Sequence, residues 1–514
     1  MKLFLHYLRA VLFCVSVAAI IVSGSYASDS ASQQNEVKYV FYFIGDGMAT
    51  IQIRAAEAYL ASLAEGYNDS KVGTKLTENL KFSNLPAYGM ATTYAADRFI
   101  TDSAAAGTAL ACGEKTACGV VSLSTNRQKR LTTIAELAKN KGMKVGIVTS
   151  VSIDHATPAV FYAHQISRDN YYDIGLQLAN SNFDYYAGGA LKQPKPRQIR
   201  GRRGAPADAN AVTKDSYEIA VDNGFRIVTS KEELSNCKPG ERIIAYNKAE
   251  ESMQELHYEI DRPDNCMSLA EFTENGIRLL DNDKGFFLMV EGGKIDWACH
   301  ANDAMTSISD TIALDKAVEV ALKFYEKHPD KTLIVVAADH ETGGMTMGFA
   351  TTQYSTAFEV LKNQKMSYEY FDDNVWSKYS SDTWNGVKDN IPDNLKTDIN
   401  DCFGLVYDKL NPFEKKLLED AYDKSMAKEK KIKLVVSGFQ QQDELWYGTY
   451  NPISVSLTHM LNNKAGIAWT SYAHTGAPIE VHVIGIGCES FNGFYDNTDI
   501  PRKMASIMGI ELKN

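Results

Sequence analysis

The chain predicts a doubly wound α/β fold: a mostly parallel central sheet, helices on both faces, and a large insertion before the last strand. Short apolar runs of strand length recur at 37–44, 144–149, 286–290, 332–338 and 479–486. Helical stretches, clearest at 51–63 and 313–325, alternate with them. Side chains able to bind metals or phosphate collect just past the ends of these runs. In a doubly wound sheet the ligand crevice lies at those carboxyl ends.

The first element is an address. Lys2 and Arg9 flank the start of an apolar segment, 10–22, and Ser25-Tyr26-Ala27 places small residues where a signal peptidase reads. Residues 1–27 are therefore expected to be a signal peptide cut after Ala27. The apolar run is short for a membrane span, and Cys14 lies inside it, which argues against a lipid anchor. The mature protein is expected in the periplasm or secreted, with no membrane span after cleavage, and 28–514 as a single domain. The whole chain carries a net charge of -11. Removing Lys2 and Arg9, with no acids in 1–27, leaves -11 minus 2, or -13. An acidic chain argues against nucleic acid as a specific partner. The seven cysteines beyond Cys14 include no Cys-x-x-Cys pair, and spacing does not set their connectivity.

The strand at 37–44 has a central, buried pattern and ends in Gly45-Asp46-Gly47, whose glycines allow close approach to Asp46. Thr101-Asp102-Ser103-Ala-Ala-Ala-Gly107 opens a helix with small residues. Ser103 there reads either as a helix cap or as a nucleophile, favoured by the helix N-terminus and reachable past the alanines. After the strand at 144–149 come Asp154-His155-Ala156-Thr157-Pro158 and then Ser167-Arg168. Thr157 is a hard-oxygen ligand candidate. Arg168 offers a planar fork for phosphate, with Asp102 able to steady it. Residues 192–204 form a basic Pro/Gly loop, best read as solvated.

The run 286–290 leads into Glu291-Gly-Gly-Lys-Ile-Asp296-Trp-Ala-Cys-His300. Asp296 and His300, four apart, share a helix face, and Glu291 ends the strand. The strand at 332–338 ends in Asp339-His340, and His474 precedes the strand at 479–486. Residues 345–465, with an amphipathic helix near 413–426, show no ligand constellation and read as an insertion or cap. Gathering Asp46, Glu291, Asp296 and Asp339 in one dry cleft is very unfavourable without cations, so the cluster implies metals.

Taken together, Ile44-Gly-Asp46-Gly, Thr101-Asp102-Ser103-Ala-Ala, Ala156-Thr157-Pro158, Ser167-Arg168, the 291–300 stretch, Asp339-His340 and Ala473-His474-Thr-Gly resemble the alkaline phosphatase family from about Val37 to Gly487. The resemblance implies hydrolysis of small phosphate monoesters through a covalent phosphoserine at Ser103, with Arg168 clamping phosphate. It implies two zinc ions and one magnesium ion. Asp296, His300 and His474 would hold one zinc. Asp46, Asp339 and His340 would hold the second, which also contacts Ser103. Asp46, Thr157 and Glu291 would hold magnesium. These donor types suit those ions. Asp102, His155 and Trp297 would stand behind these residues, His155 acting through water. Trp297 replaces a Lys or His of some relatives, which predicts weaker product binding. Relatives are commonly homodimers. A sulfatase is disfavoured because Ser103 is not followed by x-Pro-x-Arg. A phosphodiesterase would not need Arg168 and the magnesium set together, and a non-catalytic metal or anion binder would not need Ser103.

Overall fold

The computed structural model describes residues 36–196, 214–248, 253–381, 384, 390–430 and 440–514. The expected signal peptide, 1–27, and residues 197–204 of the basic loop lie outside the described residues. Ten strands form one sheet: β1 (Tyr39–Gly45), β2 (Ala87–Thr92), β3 (Lys144–Ser152), β4 (Tyr185–Gly189), β5 (Phe225–Val228), β6 (Arg242–Tyr246), β7 (Phe286–Gly292), β8 (Thr332–Ala338), β9 (Ile479–Gly485) and β10 (Gly493–Asp496). Their order across the sheet is β10-β2-β9-β8-β1-β7-β3-β4-β6-β5. Neighbours run parallel except at β9, which opposes both β2 and β8.

Every residue of β1, β7 and β8 is buried. Successive side chains of a strand point to opposite faces, so both faces of the sheet centre are covered, as a parallel sheet requires. That is why these strands read as unbroken apolar runs without alternation. Phe41 packs edge-on against Phe286 with ring centroids 5.2 Å apart. Each such fully buried ring contributes about 1.5–3 kcal/mol of transfer free energy.

Helices follow the strands at the site end. Thr50–Ser62 follows β1, and Lys294–His300 and Ala304–Tyr325 follow β7. The last begins well before the periodic stretch at 313–325. Asp303 caps it by accepting the Thr306 N–H. Its first turns carry buried polar side chains, Thr306, Ser307, Asp310 and Thr311, which hide the apolar period. The stretch at 345–465 includes the helices Asp393–Phe403, Pro412–Glu429 and Pro452–Ala465. A separate cluster of buried side chains, among them Phe371, Trp376, Leu395 and Tyr422, holds it together. The Pro452–Ala465 helix straddles two cores, with Ile453 and Leu457 in this cluster and Leu461 and Ala465 in the main one. This stretch precedes β9, which is not the last strand. β10 follows it as a four-residue, partly exposed edge strand, too short to show a period.

Val37–Asn514 forms one compact unit. Among the described residues no helix is long and apolar enough to cross a membrane. Among the described residues, Cys112, Cys118, Cys237, Cys299, Cys402 and Cys488 form no disulfide.

Candidate active site and metal centre

Three adjacent central strands deliver carboxylates to one end of the sheet. Ile44 of β1 stands beside Glu291 of β7, and Gly45 stands beside Ala338 of β8. Asp46 and Asp339 are the next residues after Gly45 and Ala338. Gly47 has φ +72, and a Cβ there would lie 2.8 Å from the Asp296 Cα. Only glycine lets the turn after β1 approach the helix bearing Asp296 so closely. That helix places His300 Nε2 3.3 Å from Asp296 Oδ2. His474 arrives on a short strand paired with Thr342.

Ser103 is the first residue of the Ser103–Cys112 helix, and the cap is Asp102. Asp102 Oδ1 accepts the Ala105 and Gly119 N–H groups, each at 3.0 Å. Its Oδ2 accepts from Arg168 Nη1 at 3.0 Å. The Ser103 hydroxyl is thus free of capping, and its Oγ lies 3.3 Å from His340 Nε2. Burial opposes ionisation of Asp102, but Arg168 and the two backbone donors outweigh it and hold the carboxyl below its ordinary value.

The histidine tautomers follow from their partners. His300 Nδ1 lies 2.6 Å from the Tyr472 carbonyl and His474 Nδ1 2.8 Å from the Thr101 carbonyl. A carbonyl only accepts, so both Nδ1 atoms carry a proton, and in the neutral rings that a metal would bind both Nε2 atoms present lone pairs. Those two Nε2 atoms face each other at 3.1 Å. His340 is set the same way. The Thr342 hydroxyl donates to Asp296 and accepts from His340 Nδ1, leaving His340 Nε2 toward Asp339 Oδ2 at 3.1 Å and Asp46 Oδ1 at 3.5 Å. Facing lone pairs ringed by carboxylates call for a cation between them.

The charges agree. Burial, then the neighbouring carboxylates, push Asp46 and Asp339 well above the ordinary range. Burial raises Glu291 to about 7. Burial also opposes the Asp296 carboxylate, but the three histidines overcome this and hold it well below its usual value. Burial opposes the charged form of His300 too, and Asp296 more than offsets it, raising His300 to about 9. Asp46 Oδ1, Asp339 Oδ2 and Glu291 Oε1 are buried with no hydrogen-bond partner. Such orphaned oxygens cost about 1–3 kcal/mol each or more unless an ion meets them. Among the described residues, three groups have ligand atoms within 4.8 Å of one another: Asp296, His300 and His474; Asp46, Asp296 and His340; and Asp46, His155 and Glu291. The residues present therefore fit bound metal ions, with Asp46 and Asp296 each shared between two groups.

A family model for alkaline phosphatase matches residues 37–510. The chain belongs to the alkaline phosphatase family. It is 30% identical to alkaline phosphatase 4 of Bacillus subtilis (strain 168) over 504 residues, covering 96% of this chain and 95% of that one. Alkaline phosphatase 3 of the same organism is also 30% identical, over 524 residues, covering 100% and 99%. The solved structure of the cold-active alkaline phosphatase from Shewanella sp. superposes with a TM-score of 0.71 at 27% identity, covering 91% of this chain and 99% of that one. Family membership makes the chain an alkaline phosphatase, a phosphoric monoester hydrolase.

A cavity of about 330 Å³ opens onto the centre of this phosphatase, lined by Ser103, His155, Arg168, Asp296, Trp297, His300, His474, Tyr368 and Tyr450. Thr157 Oγ1 donates to Asp46 Oδ2 at 3.2 Å. His155, expected to act through water, has a ring nitrogen in the same group as Asp46 and Glu291. Burial and then Arg168 push it down to about 3, so the ring is neutral. Asp154, beside it in sequence, turns away to accept the Lys192 and Gln193 N–H groups. Cys299 is buried among Ser307 and Gln52, away from the ligands. Sequence reasoning missed Thr149, which donates to Glu291, and Thr342. It also missed Tyr368 and Tyr450. Thr342 carried a signal, lying two residues after His340. The tyrosines carried none, because only the folded chain brings them to the cavity.

Proposed function

We propose that the chain hydrolyses phosphate monoesters through a covalent phosphoserine at Ser103, on a centre for two zinc ions and one magnesium ion. The observation that supports this best is the uncapped Ser103 hydroxyl at a helix N-terminus, facing inward Nε2 lone pairs in a cavity that also holds Arg168. Asp296, His300 and His474 form an N/O donor set suited to one zinc, and Asp46, Asp339 and His340 to the second. Asp46, Thr157 and Glu291, with His155 adjoining, suit magnesium. Bound there, the metals would supply Lewis-acid charge for the entering and leaving oxygens.

The chain's own groups do the rest. The positive end of the helix favours an anionic Ser103 Oγ. Arg168, fixed by Asp102, presents its guanidinium to two non-bridging phosphate oxygens. Ser103 Oγ bonds to phosphorus as the bond to the alcohol oxygen breaks, and that oxygen leaves with a proton. Water then displaces Ser103 from phosphorus and releases inorganic phosphate. We infer export with cleavage after Ala27 and a homodimer on family likeness, together with a cap role for 345–465. N-terminal sequencing and native mass of the exported protein check the first two.

The test is hydrolysis of an aryl phosphate by the purified protein as isolated, after chelator dialysis, and after zinc and magnesium are restored. Activity is expected to vanish with the metals and return with them. Ser103→Ala is expected to lose about three orders of magnitude or more in kcat while keeping its metal content. A Ser103→Ala protein of unchanged rate would sink the phosphoserine route.

A further inference from the structure

Three aromatic rings share the lining of the cavity with the metal-ligand groups. We propose that Trp297, Tyr368 and Tyr450 form a subsite that stacks on the alcohol half of the substrate, so that esters of aromatic and heteroaromatic alcohols are the preferred class. This rests on the phosphomonoesterase reading above.

Among the described residues, the rest of the cavity lining is Ser103, Arg168, His155 and the groups of the metal centre. Arg168 is already engaged by Asp102. Apart from the metal-ligand groups, the described lining therefore offers an incoming alcohol ring surface and no unengaged charge.

The rings are held before any substrate arrives. The Tyr368 N–H donates to the buried Asp303 at 3.0 Å, and the preceding Ser367 N–H donates to Asp261 at 2.9 Å. Gln364 Nε2 donates to Asp303 at 2.8 Å. Tyr450 meets Tyr368 edge-on, with centroids 5.5 Å apart and planes at 88°. Rings fixed in this way lose little freedom when they bind.

Lys294 gives a second, independent indication. Its side chain is fully buried, and its ammonium has no hydrogen-bond partner. The ammonium lies 3.8 Å from the Tyr258 ring centroid and 4.6 Å from that of Trp297, with Glu369 at 3.5 Å. Burying a charge this way is costly, and nothing in the phosphoryl-transfer step uses it. Over the indole it makes a cation–π contact that draws electron density toward one ring face. The opposite face is then better disposed to stack on an electron-rich ring.

The experiment compares benzyl phosphate with cyclohexylmethyl phosphate on the metal-restored full chain. Both release primary alcohols of similar size and acidity, so the comparison isolates the aromatic ring. The expected kcat/KM ratio is about fivefold in favour of benzyl. In Tyr450→Leu and Tyr368→Leu the ratio falls toward one, while Tyr450→Phe, which keeps the ring, retains it. Inhibition by benzylphosphonate and cyclohexylmethylphosphonate, which are not cleaved, follows the same order and reads binding without turnover. Equal turnover of both esters by the unsubstituted protein, or a ratio unmoved by both leucine variants, overturns the subsite and leaves the phosphatase reading intact. No turnover of either ester overturns the phosphatase reading itself.

Discussion

Asp102 joins the stability of one helix to the chemistry of the site. One of its oxygens caps Ser103–Cys112 and ties Gly119, and the other holds Arg168. The two roles separate by substitution. Asp102→Asn keeps an accepting oxygen for the cap but turns an amide donor toward the guanidinium. It is expected to raise KM for a phosphate monoester about tenfold, the value of one charge-assisted hydrogen bond, with little change in unfolding free energy. Asp102→Ala is expected to add about 1 kcal/mol of destabilisation from the lost cap. Steady-state kinetics and chemical denaturation read the two effects. Equal stability of the Asn and Ala variants would show that the cap contributes nothing. The sequence named both Asp102 and Ser103 but left open whether Ser103 capped the helix or served as nucleophile. Backbone geometry decides that, since the cap's oxygen must reach the N–H three residues on, and here Asp102 reaches Ala105.

At the scale of elements, Asp303 does similar double duty. It caps the Ala304–Tyr325 helix and binds the Gln364 amide and the Tyr368 N–H, tying the 345–465 stretch to the sheet's own helices. Asp303→Ala is expected to cost about 2–4 kcal/mol, from a lost cap and donors left unpaired in a buried place. Hydrogen exchange at Tyr368 is expected to quicken. Unchanged exchange there would mean that other contacts hold the stretch. The central strands were legible because burial on both faces writes an unbroken apolar run. The start of the Ala304–Tyr325 helix was not, since Thr306, Ser307, Asp310 and Thr311 are buried yet polar. β10 was not legible either, because four partly exposed residues on a sheet edge need no pattern.

The whole molecule is organised against the charge of its own centre. Folding draws four carboxylates and four histidines, His155 among them, into one largely buried cluster, and protonation is the alternative to metal. Glu291 is raised from 4.5 to about 7 and His300 from 6.5 to about 9. Both hold protons more tightly folded than unfolded. The stability they contribute is present below their ordinary values and is lost as pH rises through the folded ones. The lowered histidines His155, His340 and His474 act with the opposite sign below about pH 6.5, so the chelated protein is expected to melt at falling temperature from about pH 6.5 to 9. Asp372, pushed to about 7 by burial, lies outside the centre and acts equally with or without metal. The difference between chelated and metal-restored melting curves is what reports the centre. It is expected to widen as pH rises, because metal replaces the missing protons. Parallel curves would rule out a centre that trades protons for metal.

By itself the sequence determined which strands are central, that their ends carry metal-ligand and phosphate-binding residue types, and the family those motifs resemble. These are local facts: a period, a spacing, a glycine beside a carboxylate. Only the tertiary structure decided that Asp154 leaves the site while His155 stays. It alone turned three Nε2 lone pairs inward and set Tyr368 and Tyr450 beside Trp297. Each of those outcomes depends on hydrogen bonds and packing between segments far apart in the chain, such as His300 with Tyr472 and Asp303 with Tyr368. Contacts of that kind leave no mark in local composition, since either partner alone looks like an ordinary polar or aromatic residue.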